Sequence, residues 1–547
     1  MKNKTILILI VFSLFWECTT TPDVTVWVPY DETEELAQNA SNENKRLQYK
    51  RLQSQHTDKN QWFVPFAKEL SSFTDRYEEL KPHIIERSIP ELQAAVANKT
   101  FTYEELTLFY LYRIHRFETD PSRYLNAIIT LNPTVLTEAR KKDKYPEKAA
   151  NEPLYGMPIL LKDNINTTEM PTTAGAAVFK NNQTKADAFI VRKLKAQGAL
   201  ILGKLNLSEW AYYFCEGCPL GYSALGGQTL NPYGRKRFES GGSSSGSGVA
   251  AAANYAVATI GTETSGSILS PAAKNALVSL KPTIGAVSRS GIIPISSTFD
   301  TAGPMTKTVI DNLLVYNALI GYDSNDQYSF QATPIDPFPL ETASLKGKRF
   351  GLVDTDAQDT LIQRAVEEIQ KAGGKVVKVM LPKLDIDTFI KILDTDMKVD
   401  LPRYIDTYGH ESLSVKNIAD IIAFNNQAPE KHAPYGQAIF DNIAQDTTDY
   451  NTFQDQKAAF RAALTKDLNA LMDGFQLDAL ITLDYFTSSH LATAHFSAIG
   501  IPIGFYADGK PQNMSLIARG KQEQLLIELA AAYEKIVTHR KPPELYP

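Results

Sequence analysis

The stretch from Gly241 to Ser267 limits what this chain can fold into more than any other. It reads Gly-Gly-Ser-Ser-Ser-Gly-Ser-Gly over 241–248, continues as an uncharged, alanine-rich segment to Ile260, and ends Gly-Thr-Glu-Thr-Ser-Gly-Ser over 261–267. Two small, hydroxyl-rich turns therefore bracket one apolar segment, and Ser243 and Ser267 stand 24 positions apart. Glycine beside serine lets the backbone take positive φ and come close to a ligand. Successive N–H groups in such a turn form a concave cradle for an oxyanion. A glycine–serine run is ordinarily a flexible linker, but the apolar segment from Val249 to Ala258 follows at once and carries no charge. Gly246-x-Gly248-x-x-Ala251 matches the dinucleotide fingerprint loosely. That fingerprint follows a strand, and Lys236-Arg237-Phe238-Glu239 stands there instead. No Gly-Lys-Ser/Thr closes the run, so it is not a phosphate-binding loop.

Upstream, Ile159-Leu160-Leu161 ends in Lys162-Asp163-Asn164. This pattern predicts a buried strand that delivers Lys162 at its C-terminal end. Alone, such a lysine reads better as a surface residue capping a strand. A second run, Ala199 to Lys204, has the same form and makes Lys204 a competitor. Amide or ester chemistry at a serine needs a base. None of the eight histidines lies near either serine turn in sequence, although His490 and His495 can approach in space. A histidine triad and a lysine base both remain open on these residues alone.

Together, the Gly-Gly-Ser-Ser-Ser-Gly turn, the Gly-Ser-Ile turn at 266–268 and the Leu-Leu-Lys-Asp-Asn run resemble the amidase signature family. The motifs agree in order and spacing. Leu280-Lys281-Pro282-Thr283, Gly291-Ile292-Ile293-Pro294 and Asp300-Thr301-Ala302-Gly303-Pro304-Met305 extend the match, which runs from about Ile89 to Pro543. Within that family the chain resembles the bacterial peptide amidases, which remove the C-terminal amide of peptides. The resemblance implies an α/β fold, one large mixed sheet with helices on both faces. It implies hydrolysis of a carboxamide to a carboxylate and ammonia, with no metal and no organic cofactor. It assigns Ser267 as nucleophile, Lys162 as base and Ser243 as the relay between them, on a cis peptide after Gly242. The oxyanion hole falls to the backbone of Thr264, Ser265, Gly266 and Ser267. Members acting on free or tRNA-borne Asn or Gln carry an arginine after Gly-Ser-Ile to pair the substrate carboxylate. Leu269 occupies that position here, so the fork is missing. Ser265 stands where glycine or aspartate is common. The leading substrate class is a peptide C-terminal amide, with a general small amide or acyl-amide as the alternative. An inactive binding protein on the same scaffold is the rival from another class, and the presence of all three proton-transfer residues weighs against it.

Three segments organise the 547 residues. Residues 1–18 read as a signal segment: Lys2 and Lys4 precede a short apolar core from Thr5 to Trp16, too short to span a bilayer comfortably. Cys18 raises a lipoprotein reading, with cleavage nearby without lipid as the alternative. Residues 19–63 are polar and read as a spacer with one solvated helix. Residues 64–547 read as a single catalytic domain with its signature core at about 154–304. In its helical opening, Thr102 and Glu105 form a capping box, and Leu106, Phe109, Tyr110 and Ile114 supply an apolar stripe. Further on, strands are expected at 349–353 and 375–379, a helix between them that ends at Gly373-Gly374, and a mainly helical stretch from 384 to 475 that walls the cleft.

A net charge of −6 with no clustered Lys or Arg argues against a nucleic-acid partner. Beyond a lipid anchor nothing calls for a membrane, and the expected partner is a small-molecule or peptide amide. Cys215 and Cys218 form a Cys-x-x-Cys pair without further zinc ligands nearby. A small structural disulfide fits them in an exported bacterial protein, periplasmic or membrane-anchored, with free thiols as the alternative. Protein recovered from its native host is therefore expected to begin near Cys18. An N-terminal sequence still starting at Met1 would contradict export, and mass spectrometry of Cys18 decides whether it carries lipid.

Overall fold

The structure, a computed structural model, describes residues 26–547; the signal segment and Cys18 lie outside them. Thirteen strands run in chain order among the described residues: β1 Ile128–Leu131, β2 Pro158–Lys162, β3 Leu200–Leu205, β4 Tyr222–Ser223, β5 Gly227–Gln228, β6 Ala258–Glu263, β7 Val278–Lys281, β8 Thr301–Thr306, β9 Arg349–Val353, β10 Lys375–Val379, β11 Ala479–Leu483, β12 Ser497–Phe505 and β13 Pro511–Ala518. Strands β4 and β5 make a small hairpin, and the other eleven form one sheet in the order β1-β3-β2-β6-β8-β7-β12-β13-β11-β9-β10. The sheet is mixed. Strand β2 runs parallel to β3 and β6, and β9 runs parallel to β10 and β11; β6, β8, β7, β12 and β13 are joined by antiparallel pairings. Side chains of a strand alternate between faces, so a strand buried at every position is covered on both. Strands β2, β3, β6, β8, β11 and β13 are buried throughout. The expected α/β fold, a large mixed sheet with helices on both faces, is the one observed.

The helix Ser245–Ala252 shows why the small residues are there. It packs along β6 and β8. At Gly246, a Cβ would stand 2.5 Å from the Asn206 carbonyl and 2.6 Å from that of Ala127, so any side chain would push the helix off the sheet. The serine hydroxyls then tie helix to strand. Ser247 Oγ donates to the Ile260 carbonyl (3.1 Å), Thr259 Oγ1 to the Ser247 carbonyl (2.9 Å), and Ser244 Oγ to the Thr262 carbonyl (3.0 Å). The run is a rigid strand–helix weld, the opposite of a linker.

The flanking elements follow their local signals. Thr102 Oγ1 accepts from Glu105 N (3.1 Å) and Glu105 Oε2 accepts from Thr102 N (2.9 Å), opening the helix Tyr103–Glu118. All four residues of its predicted stripe are fully buried. Strands β9 and β10 and the helix Thr360–Lys371 fall where expected, with Gly373 at φ 90° just beyond the helix. Between 384 and 475 the long helices are Ile386–Tyr408 and Gln454–Gly474. The C-terminal segment returns to the body, where Arg540 bonds both carboxylate oxygens of Glu86 at 2.7 and 2.8 Å.

The spacer reading of 19–63 needs correction over its described part. The one α-helix there, Thr33–Asn39, buries no residue, as a solvated helix should. The rest is an arm docked on the catalytic body: Trp27, Leu47, Tyr49, Leu52, Trp62 and Phe63 join the main hydrophobic core. The Leu52 carbonyl accepts from Asn126 Nδ2 and from Gln228 N, both at 2.9 Å. Even Lys59 is buried, paired with Glu118 at 3.3 Å and set 4.3 Å from the Trp27 ring centre. The anchors escaped notice because single apolar residues separated by polar ones carry no helical or strand period. Leu52→Ala is expected to cost about 2–5 kcal/mol, read as a lower midpoint in chemical denaturation; a variant as stable as the parent would restore the spacer.

Candidate active site

Strand β2 ends at Lys162, whose side chain is fully buried. The parallel neighbour β6, in register with Leu161 opposite Ile260, brings Thr262 alongside. Lys162 Nζ lies 2.8 Å from Ser243 Oγ, 2.8 Å from Thr262 Oγ1 and 3.2 Å from the Thr262 carbonyl. Burial pushes its pKa down to about 7, against the raising pull of the Asp300 and Glu263 carboxylates. A neutral amine has two N–H donors and one lone pair. The carbonyl takes one donor, Thr262 Oγ1 takes the other, and the lone pair is left for the Ser243 hydroxyl proton. The neutral form satisfies every contact Lys162 makes, as the ammonium also would, and it is burial that favours the neutral one.

The competing lysine has a different setting. Lys204 on β3 pairs with buried Asp163 at 3.0 Å and donates to Thr172 Oγ1 at 2.9 Å. Strand register places Lys204 opposite Leu161, so by alternation it projects from the other face of the sheet. It is a structural ion pair.

Ser243 follows a cis Gly242–Ser243 peptide, and its carbonyl accepts from Ser208 N at 3.0 Å. Ser243, Thr264, Ser265 and Ser267 line one cavity of about 210 Å³. Ser267 is 9% exposed there, while Ser243 lies deeper, at 1%. The turn carrying Ser267 is braced from below. Glu263 Oε2 accepts from Ile268 N (2.6 Å) and Leu269 N (3.0 Å). Asp300 accepts from Thr264 Oγ1 (2.5 Å) and from the Ile295 and Ser296 N–H groups (2.9 and 3.0 Å), and burial holds its pKa up at about 6. Gly266 sits at φ 83° beneath the Tyr485 ring, where a Cβ would come within 2.7 Å of a ring carbon. Ser265 Oγ faces Ser488 Oγ and Ser489 Oγ, both at 3.0 Å.

The remaining wall is largely apolar and aromatic: Ala211, Tyr212, Tyr213, Leu220, Ile295, Leu393 and Tyr485, with Arg46 joining from the arm. From the helical stretch 384–475, Leu393 is the residue on this wall. Cys215 and Cys218 are joined as a disulfide, with Cα atoms 6.0 Å apart. Their loop holds the wall, since the Tyr212 hydroxyl donates to the Cys218 carbonyl at 2.9 Å. Leu269 packs into the core with Leu464 and Leu491 and does not reach the cavity. The histidines are placed elsewhere: His490 Nε2 meets the Pro382 carbonyl at 3.0 Å, and His495 Nδ1 accepts from Arg461 at 2.9 Å. A larger cavity of about 400 Å³, lined by Arg289, Asp300 and Asp400 among others, includes neither serine.

Sequence reasoning missed Thr262, Arg46, Tyr212 and Tyr485. Thr262 lay inside the quoted 261–267 turn, and its hydroxyl was the available signal. Arg46 and Tyr485 come from segments with no motif.

The comparisons with known proteins agree with this geometry. The amidase family model matches residues 105–483. A probable amidase of Arabidopsis thaliana is 34% identical over 484 residues, covering 84% of this chain and 92% of the relative. Among solved structures, an amidase family protein from Bacillus anthracis superposes with a TM-score of 0.86 at 33% identity, covering 91% of this chain and all of that one. The native peptide amidase from Stenotrophomonas maltophilia gives 0.77 at 35% identity, over 84% of this chain and 99% of that one. With the sheet, the serine turns and the buried lysine already in place, the conclusion is that this chain belongs to the amidase family of carbon–nitrogen hydrolases.

Proposed function

We propose that the cavity hydrolyses the C-terminal amide of peptides through Ser267, Ser243 and Lys162. The observation that carries this reading is the 2.8 Å contact between Lys162 Nζ and Ser243 Oγ, made by a fully buried amine whose pKa that burial lowers to about 7. Ser267 Oγ attacks the amide carbon. Its proton passes to Ser243 Oγ as the Ser243 proton passes to Lys162 Nζ. The oxyanion is received by backbone N–H groups of the 264–267 turn; one such donor is worth ~10²–10³ in rate. Collapse breaks the C–N bond, and the proton returns through Ser243 to the leaving nitrogen, which departs as ammonia. Water then attacks the acyl-Ser267 ester by the same relay and releases the carboxylate. Each proton and electron pair is carried by a side chain or water, so the sequence calls on no cofactor.

A peptide amide is favoured by the aromatic and aliphatic wall, by the placement of Leu269 away from the cavity, and by the likeness to a protein described as a peptide amidase. The alternative is a general small-amide amidase, and ammonia release across peptide amides and simple aliphatic amides separates the two. The Cys215–Cys218 disulfide supports an exported protein, because such bonds persist in oxidising compartments.

Ser267→Ala is expected to lower kcat by about 10⁴-fold or more with the fold retained by circular dichroism; near-parental turnover removes Ser267 from the mechanism. Lys162→Arg should be equally inactive, because a guanidinium keeps its proton. The active form is the neutral amine, so kcat/KM should rise with pH through about 7 and level off above it. Stability moves in the same direction with pH, over a higher window. Between about 7 and the ordinary value of 10.5 the folded state binds fewer protons than the unfolded one, so Lys162 weakens folding as pH falls across that window and adds no further loss below it. Activity flat between pH 5 and 9 would contradict a base that titrates near 7; activity retained in Lys162→Arg and lost in His490→Ala or His495→Ala would replace the lysine with a histidine base.

A further inference from the structure

The cavity that holds Ser243 and Ser267 has one charged side chain among its described lining residues, Arg46. It lies in the short 3₁₀ turn Lys45–Leu47 of the N-terminal arm, upstream of the 105–483 stretch that matches the family. The arm fixes its position firmly. Leu47 and Tyr49, just after it, are buried in the core. Asn44 Oδ1 accepts from Arg46 N at 3.0 Å, Asn39 Nδ2 donates to the Leu47 and Lys236 carbonyls at 3.0 and 2.9 Å, and Glu35 pairs with Lys236 at 2.7 Å.

The guanidinium is less committed than its backbone. Its Cζ stands 5.8 Å from the centre of the Tyr212 ring, and the Tyr212 and Tyr485 side chains are its hydrogen-bonding neighbours. Its carboxylate partner, Glu239, is 3.8 Å away, too long for a hydrogen bond. The Arg46 side chain is 38% exposed. A guanidinium presents five N–H donors in a fork that fits a carboxylate. No carboxylate side chain lines this cavity among the described residues; its other polar lining side chains are hydroxyls. A substrate carboxylate reaching Arg46 would therefore meet a partly satisfied cation and no opposing charge on the wall itself.

We propose that Arg46 is a specificity-determining residue that binds a carboxylate on the acyl part of the substrate, such as the side chain of an aspartate or glutamate in a peptide amide. The proposal rests on the amide-hydrolase reading of the cavity. The arm thereby supplies a cation on the cavity wall while Leu269 is packed into the core.

The test uses acetyl-dipeptide amides in matched pairs, glutamate against glutamine, at the amidated residue and at the residue before it. In the full-length parent, kcat/KM is expected to favour the glutamate peptide by about fivefold or more at one of the two positions, mainly through KM, and the preference should shrink as salt rises. Arg46→Ala should bring that ratio to about one whatever happens to the absolute rates, Arg46→Lys should keep part of it, and Arg46→Glu should invert it. No glutamate preference at either position in the parent overturns the proposal. So does a ratio unchanged in Arg46→Ala, which would leave Arg46 the task of holding the arm. The same peptides titrated calorimetrically into the Ser267→Ala protein give the binding ratio without turnover. A parent that hydrolyses no amide thus defeats the hydrolase reading, while the Arg46-dependent binding ratio still decides this one.

Discussion

Removal of water from one amine, that of Lys162, governs how this cavity is built. A lysine at a strand end in water is an ammonium ion and cannot take a proton from serine. Set at the buried end of β2, it loses hydration that no neighbouring carboxylate replaces in full, and its pKa falls to about 7. Asp300 and Glu263 act against that fall, so their placement matters. Each is engaged by other donors, Asp300 by Thr264 and the 295–296 backbone and Glu263 by the 268–269 backbone. Neither forms an ion pair with Lys162. Lys204, by contrast, meets Asp163 directly at 3.0 Å, so two similar strand-end lysines sit in opposite electrostatic settings.

The two serine turns serve that amine from opposite ends of one rigid unit. The helix Ser245–Ala252 lies close on β6 because its residues are small, and their hydroxyls bond the strand that carries Thr262. Ser243 just before this helix and Ser267 just beyond the strand are thus placed by the same weld. Glu263 then ties the Ser267 turn back to the strand end. Precision of this kind comes from backbone and hydroxyl contacts, which leave few rotamers to be frozen when substrate enters.

Much of this was legible in the residues. The glycines and serines of 241–248, the uncharged run after them and the apolar approach to Lys162 each have one comfortable structural solution, and motif order narrowed the family. The capping box at Thr102 and the glycine stop at 373 were local signals that tertiary packing left alone. What stayed hidden was set by distance in sequence. The family resemblance chose Lys162 over Lys204, but the physical ground for that choice is strand register, which neither run encodes. Thr262 becomes important only because β6 pairs with β2. The arm looked like a spacer because its anchors, Trp27, Leu47 and Leu52, are scattered among polar residues, and the charge it brings to the cavity, Arg46, is an ordinary surface-type residue in sequence. The Cys215–Cys218 pair was readable as a candidate disulfide, but its part in seating Tyr212 on the wall was not.

The claim at the centre is that Lys162 is neutral when the enzyme is ready to react. Its side-chain titration can be followed directly by carbon NMR of protein labelled at lysine Cε, with the Lys162 signal assigned by its loss in Lys162→Met. The account predicts a midpoint near pH 7, about three units below an ordinary lysine. A Lys162 resonance that stays in its protonated position up to pH 10 would contradict it.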